Sequence, residues 1–133
     1  MNNNLYALAL CLGLILGLGQ TPASAGEVIV NGTMSLTPDE VKEVFLGDKQ
    51  LAGNLKIVPV DNAAQQGDFL SKVLGTDMSK YAARWTKKAF REGLNAPAVK
   101  GNDAEVTSFV KSTPGAIGYV AGPSSGVKVL QKY

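Results

Sequence analysis

Thr113-Pro114-Gly115-Ala116-Ile117-Gly118-Tyr119-Val120 carries a turn straight into a strand. Pro114-Gly115 is a turn pair. The run after it is apolar, ends on aromatic and β-branched residues, and is short enough to be a buried strand. Its glycine pair, Gly115 and Gly118, reads as a tight turn and not as a phosphate-binding loop. No phosphate-cradling loop of the Walker type and no dinucleotide glycine fingerprint occurs in the chain. Downstream, Gly122-Pro123-Ser124-Ser125-Gly126 turns the chain again, and Val127-Lys128-Val129-Leu130 is a last strand.

Working upstream, Asn102-Asp103-Ala104-Glu105 opens a helix, with Asn102 as cap and carboxylates in the turn where the helix dipole favours them. Val106, Phe109 and Val110 form its buried stripe. Before it, a long helix starts at Thr76 or Asp77, runs to about Arg91 and stops at Gly93; Met78, Tyr81, Ala82, Trp85 and Ala89 make its apolar face. Phe69, Leu70, Val73 and Leu74 are a further helical stripe ended by Gly75. Leu55-Lys56-Ile57-Val58-Pro59-Val60 reads as a strand that ends, or lies at a sheet edge, near Pro59, because proline has no N–H to give a ladder. Asp61 and Asn62 then begin a loop. Thr37-Pro38-Asp39-Glu40 is a capping box with proline at the first helical position. Val41, Val44 and Phe45 follow at helical spacing and Gly47 is the stop. Glu27-Val28-Ile29-Val30, closed by Asn31-Gly32, is the first strand. Strands alternate with helices and two strands come last, which gives an α/β domain with a mixed sheet covered by helices.

The first 25 residues are of another kind. An apolar run from Leu5 to Leu18 is broken by Gln20-Thr21-Pro22 and followed by Ala23-Ser24-Ala25, a small-x-small site. We read 1–25 as a signal peptide cleaved near Ala25, and 26–133 as one domain in the periplasm. The run is shorter than the roughly 20 residues a spanning helix needs, so no stable membrane insertion is expected after cleavage. The absence of Lys and Arg before the run is atypical, and an uncleaved anchor is the alternative. Cys11 falls inside the run, so the mature domain has no thiol chemistry.

The chain has 133 residues, 13 Lys and Arg against 11 Asp and Glu, a net charge of +2 and no histidine. That balance makes no case for nucleic acid. Without His or a mature Cys, the Ser-His-Asp and Cys-His constellations and His-based metal sites are absent from 26–133. No metal, cofactor or catalytic residue is assigned, and the chain is read as a non-enzyme. Asp39-Glu40 and Asp103-Glu105 are explained by capping. Lys80, Arg84, Lys87, Lys88 and Arg91 lie at i, i+4, i+7, i+8 and i+11, one basic stripe opposite Tyr81 and Trp85, with no acid on the helix between Asp77 and Glu92. It reads either as a solvated face or as a patch for an anionic partner.

Three stretches, in the right order, resemble the phosphate-binding proteins of ABC transporters. Val44-Phe45-Leu46-Gly47, ending the capped helix, is similar to their IFLG segment. Residues 69–93, with Val73-Leu74-Gly75, Tyr81, Trp85, Phe90 and Gly93, resemble short periplasmic proteins related to them. Residues 113–120 are the most specific, similar to the family's PGAIGYV signature. The resemblance implies one lobe of a type II periplasmic-binding fold, with a mixed, mostly parallel sheet. It implies binding of a small, phosphate-like anion by Asp61, Asn62, Gln65, Gln66 and Gly67 and the helix N-terminus after them, with a transporter or other periplasmic protein as partner. Where those proteins carry Asp-Gly-Ser-Gly-Thr, this chain reads Asp61-Asn62-Ala63-Ala64-Gln65, so only Asp61 carries over. The second reading therefore stays open: an interaction module that kept the fold, lost the ligand and acts through a partner protein.

Overall fold

The computed structural model describes residues 26–133; the export segment at 1–25 lies outside the described residues. The strands are β1 (Glu27–Val30), β2 (Leu51–Ala52), β3 (Leu55–Lys56), β4 (Val58–Asn62), β5 (Ala98–Lys100), β6 (Ala116–Val120) and β7 (Lys128–Lys132). The helices are α1 (Pro38–Phe45), α2 (Gln66–Phe69), α3 (Met78–Glu92) and α4 (Asp103–Ser112). A π-helical turn, Leu70–Leu74, continues α2 and stops at Gly75 in the left-handed conformation.

Helix boundaries follow local chemistry. The Thr37 hydroxyl accepts from the Glu40 N–H at 3.2 Å, and the Glu40 carboxylate accepts from the Thr37 N–H at 2.9 Å, the reciprocal box expected from the sequence. Asp77, not Thr76, caps α3, and Asn102 caps α4. Gly93 closes α3 at φ 69°, where any other residue would be strained.

Five strands form one sheet in the order β5-β4-β6-β1-β7, with β2 and β3 a separate hairpin. The sheet is mixed: β4 pairs in parallel with β5 and β6, and β1 pairs antiparallel with β6 and β7. One face carries α1, α2, the π turn and α3 over Val28, Val30, Ile117 and Tyr119. The other carries α4, whose Val106 and Val110 pack on Ile29, Val60, Ala116 and Val120. A Cβ added at Gly118 would stand 2.6 Å from Val106 and 3.0 Å from Val60. The glycine therefore lets α4 lie directly on β6. At Gly115, φ is +82° and a Cβ would strike the Lys56 carbonyl oxygen, so both glycines are structural.

Four expectations need correction. The single strand across 55–60 is two elements, because Leu55-Lys56 folds back on Leu51-Ala52 and the Ile57 N–H bonds the Gln50 carbonyl. Pro59 neither ends β4 nor lies on an edge strand. The Val58 N–H points to Gly115 on the β6 side, so alternation turns the proline nitrogen toward the β5 side, where pairing begins only at Val60. The strand β5 was not expected at all. On α3, Met78 is 50 % exposed and Ala82 and Ala89 are also exposed, leaving Tyr81 and Trp85 as the buried contacts.

Candidate functional site at the carboxyl ends of β4 and β5

The chain leaves β4 toward α2 on one face and leaves β5 toward α4 on the other. Neighbouring parallel strands whose connections diverge in this way open a crevice beyond their carboxyl ends, the usual ligand position in such sheets. The Ala63 N–H donates to the Lys100 carbonyl at 2.8 Å, joining the two strand ends.

Asp61 and Asn62, expected at the start of a loop, are instead the last two residues of β4. Asp61 is only 2 % exposed. Its carboxylate accepts from the Tyr81 hydroxyl at 2.9 Å and from the Tyr119 hydroxyl at 2.8 Å. Burial pushes its pKa up to about 6, against the opposing pull of the two hydroxyls, first Tyr119 and then Tyr81. Both tyrosines are driven above their ordinary value, by burial first and then by the charge of Asp61. The Tyr119 ring is stacked on Phe69 at 3.8 Å, and Phe45 packs edge-on against both.

Asn62 is wholly buried. Its amide donates to Asp103 at 2.7 Å and to the Tyr119 carbonyl at 2.9 Å, while its oxygen accepts from the Ala64 N–H at 3.0 Å. The second carboxylate oxygen of Asp103 accepts from the Ala121 N–H at 3.0 Å. Asp103 thus ties together the ends of β4 and β6 and the first turn of α4. Sequence reasoning gave Asp103 only a capping role; partners 41 and 18 residues away leave no local signal.

Gln65, Gln66 and Gly67 open α2. No side chain caps this end, and the first N–H groups of a helix have no partner within it. The Gln65 side-chain oxygen is buried without a hydrogen bond, and Gly67 is exposed. The structure therefore separates the expected set: Asp61 and Asn62 are engaged inside the protein, the Gln65 backbone N–H is bonded to the Asn62 carbonyl at 3.0 Å, and Gln66 and Gly67 begin the uncapped helix. The nearby charges are acidic, since burial and then Asp68 and Asp103 raise the Tyr133 hydroxyl above its ordinary value.

Lys100 ends β5 with its amine 4.7 Å from the centre of the Phe109 ring, and the basic stripe on α3 is not uniform. Arg84 donates to the Leu46 carbonyl at 2.9 Å and to Asp48 at 2.8 Å; Lys88 reaches Asp48 at 2.8 Å and Glu92 at 3.1 Å. These two therefore flank the packed side of α3 and are neutralised by a loop acid, contrary to the expectation of one unpaired stripe. Asp48 is held below its ordinary pKa, chiefly by the Lys88 hydrogen bond. Lys80, Lys87 and Arg91 are exposed and make no ion pair among the described residues. A separate apolar cleft of about 380 Å³ opens at the amino end of β4, between Trp85, Leu94, Pro97 and Phe109. Among the described residues no group of acids could hold a metal ion, and no helix is long and apolar enough to cross a membrane.

No family model and no curated protein matches the chain. Solved structures do. An ABC-type phosphate transport receptor from Vibrio cholerae is 15% identical over 81% of this chain, with a TM-score of 0.52. A Clostridium perfringens structure with bound phosphate, described as a phosphate ABC transporter substrate-binding protein, is 15% identical over 81% of this chain, with a TM-score of 0.59. PstS from Borrelia burgdorferi is 15% identical over 80%, with a TM-score of 0.56. The chain spans less than half of those proteins: 46%, 44% and 46% of their lengths. At this identity the likeness is one of fold, and the fold is a single periplasmic-binding-protein-like lobe.

Proposed function

We propose that this chain is a periplasmic, non-enzymatic solute-binding domain that takes a small phosphate-like anion at the crevice beyond β4 and β5, in the service of a transporter. The observation that carries the reading is the uncapped start of α2. Gln66 and Gly67 present backbone N–H groups, and Gln65 and Gln66 carry amide side chains; a helix start of this kind favours negative charge. A structure of like fold, the Clostridium perfringens protein, holds phosphate. Asp61, Asn62 and Asp103 serve here as the fixed frame that sets the loop, not as ligand contacts. The donors are few and the surrounding carboxylates are repulsive, so the isolated lobe binds weakly.

One observation favours a second reading, an interaction module that acts through a partner protein. The two residues at the head of the loop have their polar groups engaged inside the fold, as a scaffold that no longer needs a ligand would have. A thermal-shift screen of small anions at fixed ionic strength separates the two, since a ligand of the native state raises its stability by mass action. A rise with phosphate-class anions that is absent from Gln65→Ala/Gln66→Ala supports solute binding. No rise with any anion supports the interaction module.

A further inference from the structure

The outward face of α3 has the composition of a membrane-surface contact. Tyr81 and Trp85 are the buried residues of this helix. At 100° per residue, Lys80, Ala83, Lys87, Phe90 and Arg91 gather on the far side, and every one of them is exposed. Phe90 stands 91 % exposed. Lys87 and Arg91, three residues before it and one after it, and Lys80 further along the face have no ion-pair partner among the described residues. No acid shares this face: Asp77 is the N-cap, and Glu92 is turned to Lys88 on the packed side. Arg84 and Lys88, paired with Asp48 and Glu92, add no net charge along the flank of this face.

We propose that this face docks the protein on an anionic lipid surface, with Lys80, Lys87 and Arg91 against head groups and Phe90 entering the interface between them. The chemistry is that of helices lying in a bilayer interface: cations for the head-group charge, and an aromatic ring for the boundary of the acyl region. A protein partner is less well matched. The face is one convex helix surface on which Ala83 and Thr86 precede Phe90 by two turns and one turn, too small a patch of apolar side chains for the packed core a stable protein interface needs. Each free cation near an anionic surface strengthens attraction about fivefold at low salt.

The test is co-sedimentation of the exported protein, its N-terminus determined by mass spectrometry, with vesicles. Vesicles of phosphatidylcholine and phosphatidylglycerol in equal parts are compared with pure phosphatidylcholine, at low salt and at high salt. The wild type is expected to bind the anionic vesicles at least tenfold more tightly, and to be released by salt. Phe90→Ser is expected to weaken binding severalfold while keeping its salt dependence. Lys80→Glu/Lys87→Glu/Arg91→Glu is expected to abolish binding with thermal unfolding unchanged, since all three side chains are exposed. Equal binding to neutral vesicles, or binding that survives the triple reversal, would overturn the proposal. So would vesicle capture that appears only when a second, acidic protein is added.

Discussion

Asp61 is the residue on which the interior of this lobe turns. Its carboxyl is raised to about 6 from an ordinary 3.8, by burial before anything else. A folded state that holds its proton more tightly than the unfolded chain gains stability from that proton. The gain is complete below pH 3.8 and is lost as pH rises through about 6. The loss is on the order of 3 kcal/mol, from about 1.4 kcal/mol per pKa unit. Asp61→Asn keeps a polar group facing Tyr81 and Tyr119 but cannot titrate. Denaturant unfolding at pH 4 and pH 7 is expected to show the wild type losing stability across this range and the variant losing much less. Parallel slopes for the two proteins would mean that Asp61 is not the buried titrating group. The position of Asp61 in the sequence was legible and its environment was not. Tyr81 and Tyr119 lie 20 and 58 residues away, and only the folded chain brings them to it. The Thr37–Glu40 box was fully legible because all its atoms lie within one turn of chain.

At the scale of elements, the carboxyl end of α1 is closed by side chains from the middle of α3. Trp85 donates to the Phe45 carbonyl at 3.0 Å and Arg84 to the Leu46 carbonyl at 2.9 Å, filling carbonyl positions that a helix end leaves open. Trp85→Ala is expected to cost about 3–5 kcal/mol, the usual loss for emptying a large aromatic site. Trp85→Phe should cost less, since only the hydrogen bond and part of the ring are removed. Equal losses in chemical denaturation would show that the hydrogen bond matters more than the packed ring. On the other face, Gly118→Ala is expected to destabilise by about 1–3 kcal/mol, because the added methyl meets Val106 and Val60. The signature stretch 113–120 was readable as turn and strand, since Gly115 and the apolar run are local signals. The strand β5 was not readable: Ala98-Val99-Lys100 is too short for a period, and its pairing with Val60, Asp61 and Asn62 alone makes it a strand. Pro59 misled for a related reason, since which side of β4 its nitrogen faces is fixed by the neighbouring strands and not by the residue itself.

The described residues form one lobe, and the chain spans less than half the length of the solved proteins it matches in fold. The mixed sheet covered by helices could be read from the alternation of patterns, while β5 and the β2–β3 hairpin could not. The division of the loop after β4 into a buried frame and a few open donors could not, because it depends on Asp103 and Tyr119 arriving from distant strands and helices. That division sets the expected affinity. An anion leaving water must regain its hydrogen bonds, and each unmet one costs about 1–3 kcal/mol or more. An exposed helix start contributes about 0.3–1 kcal/mol through its dipole. The export reading belongs to the same scale: mass spectrometry of the exported protein is expected to find its N-terminus at or near Gly26, and an intact Met1 in a membrane fraction would establish an anchor. The most direct measurement of the central claim is a phosphate titration of a verified monomer, followed through the backbone amide resonances. Saturable shifts confined to Gln65, Gln66, Gly67 and their neighbours are expected, with a dissociation constant of about 1 mM or weaker, near −4 kcal/mol. Micromolar affinity, or no shift at those amides, would contradict that claim.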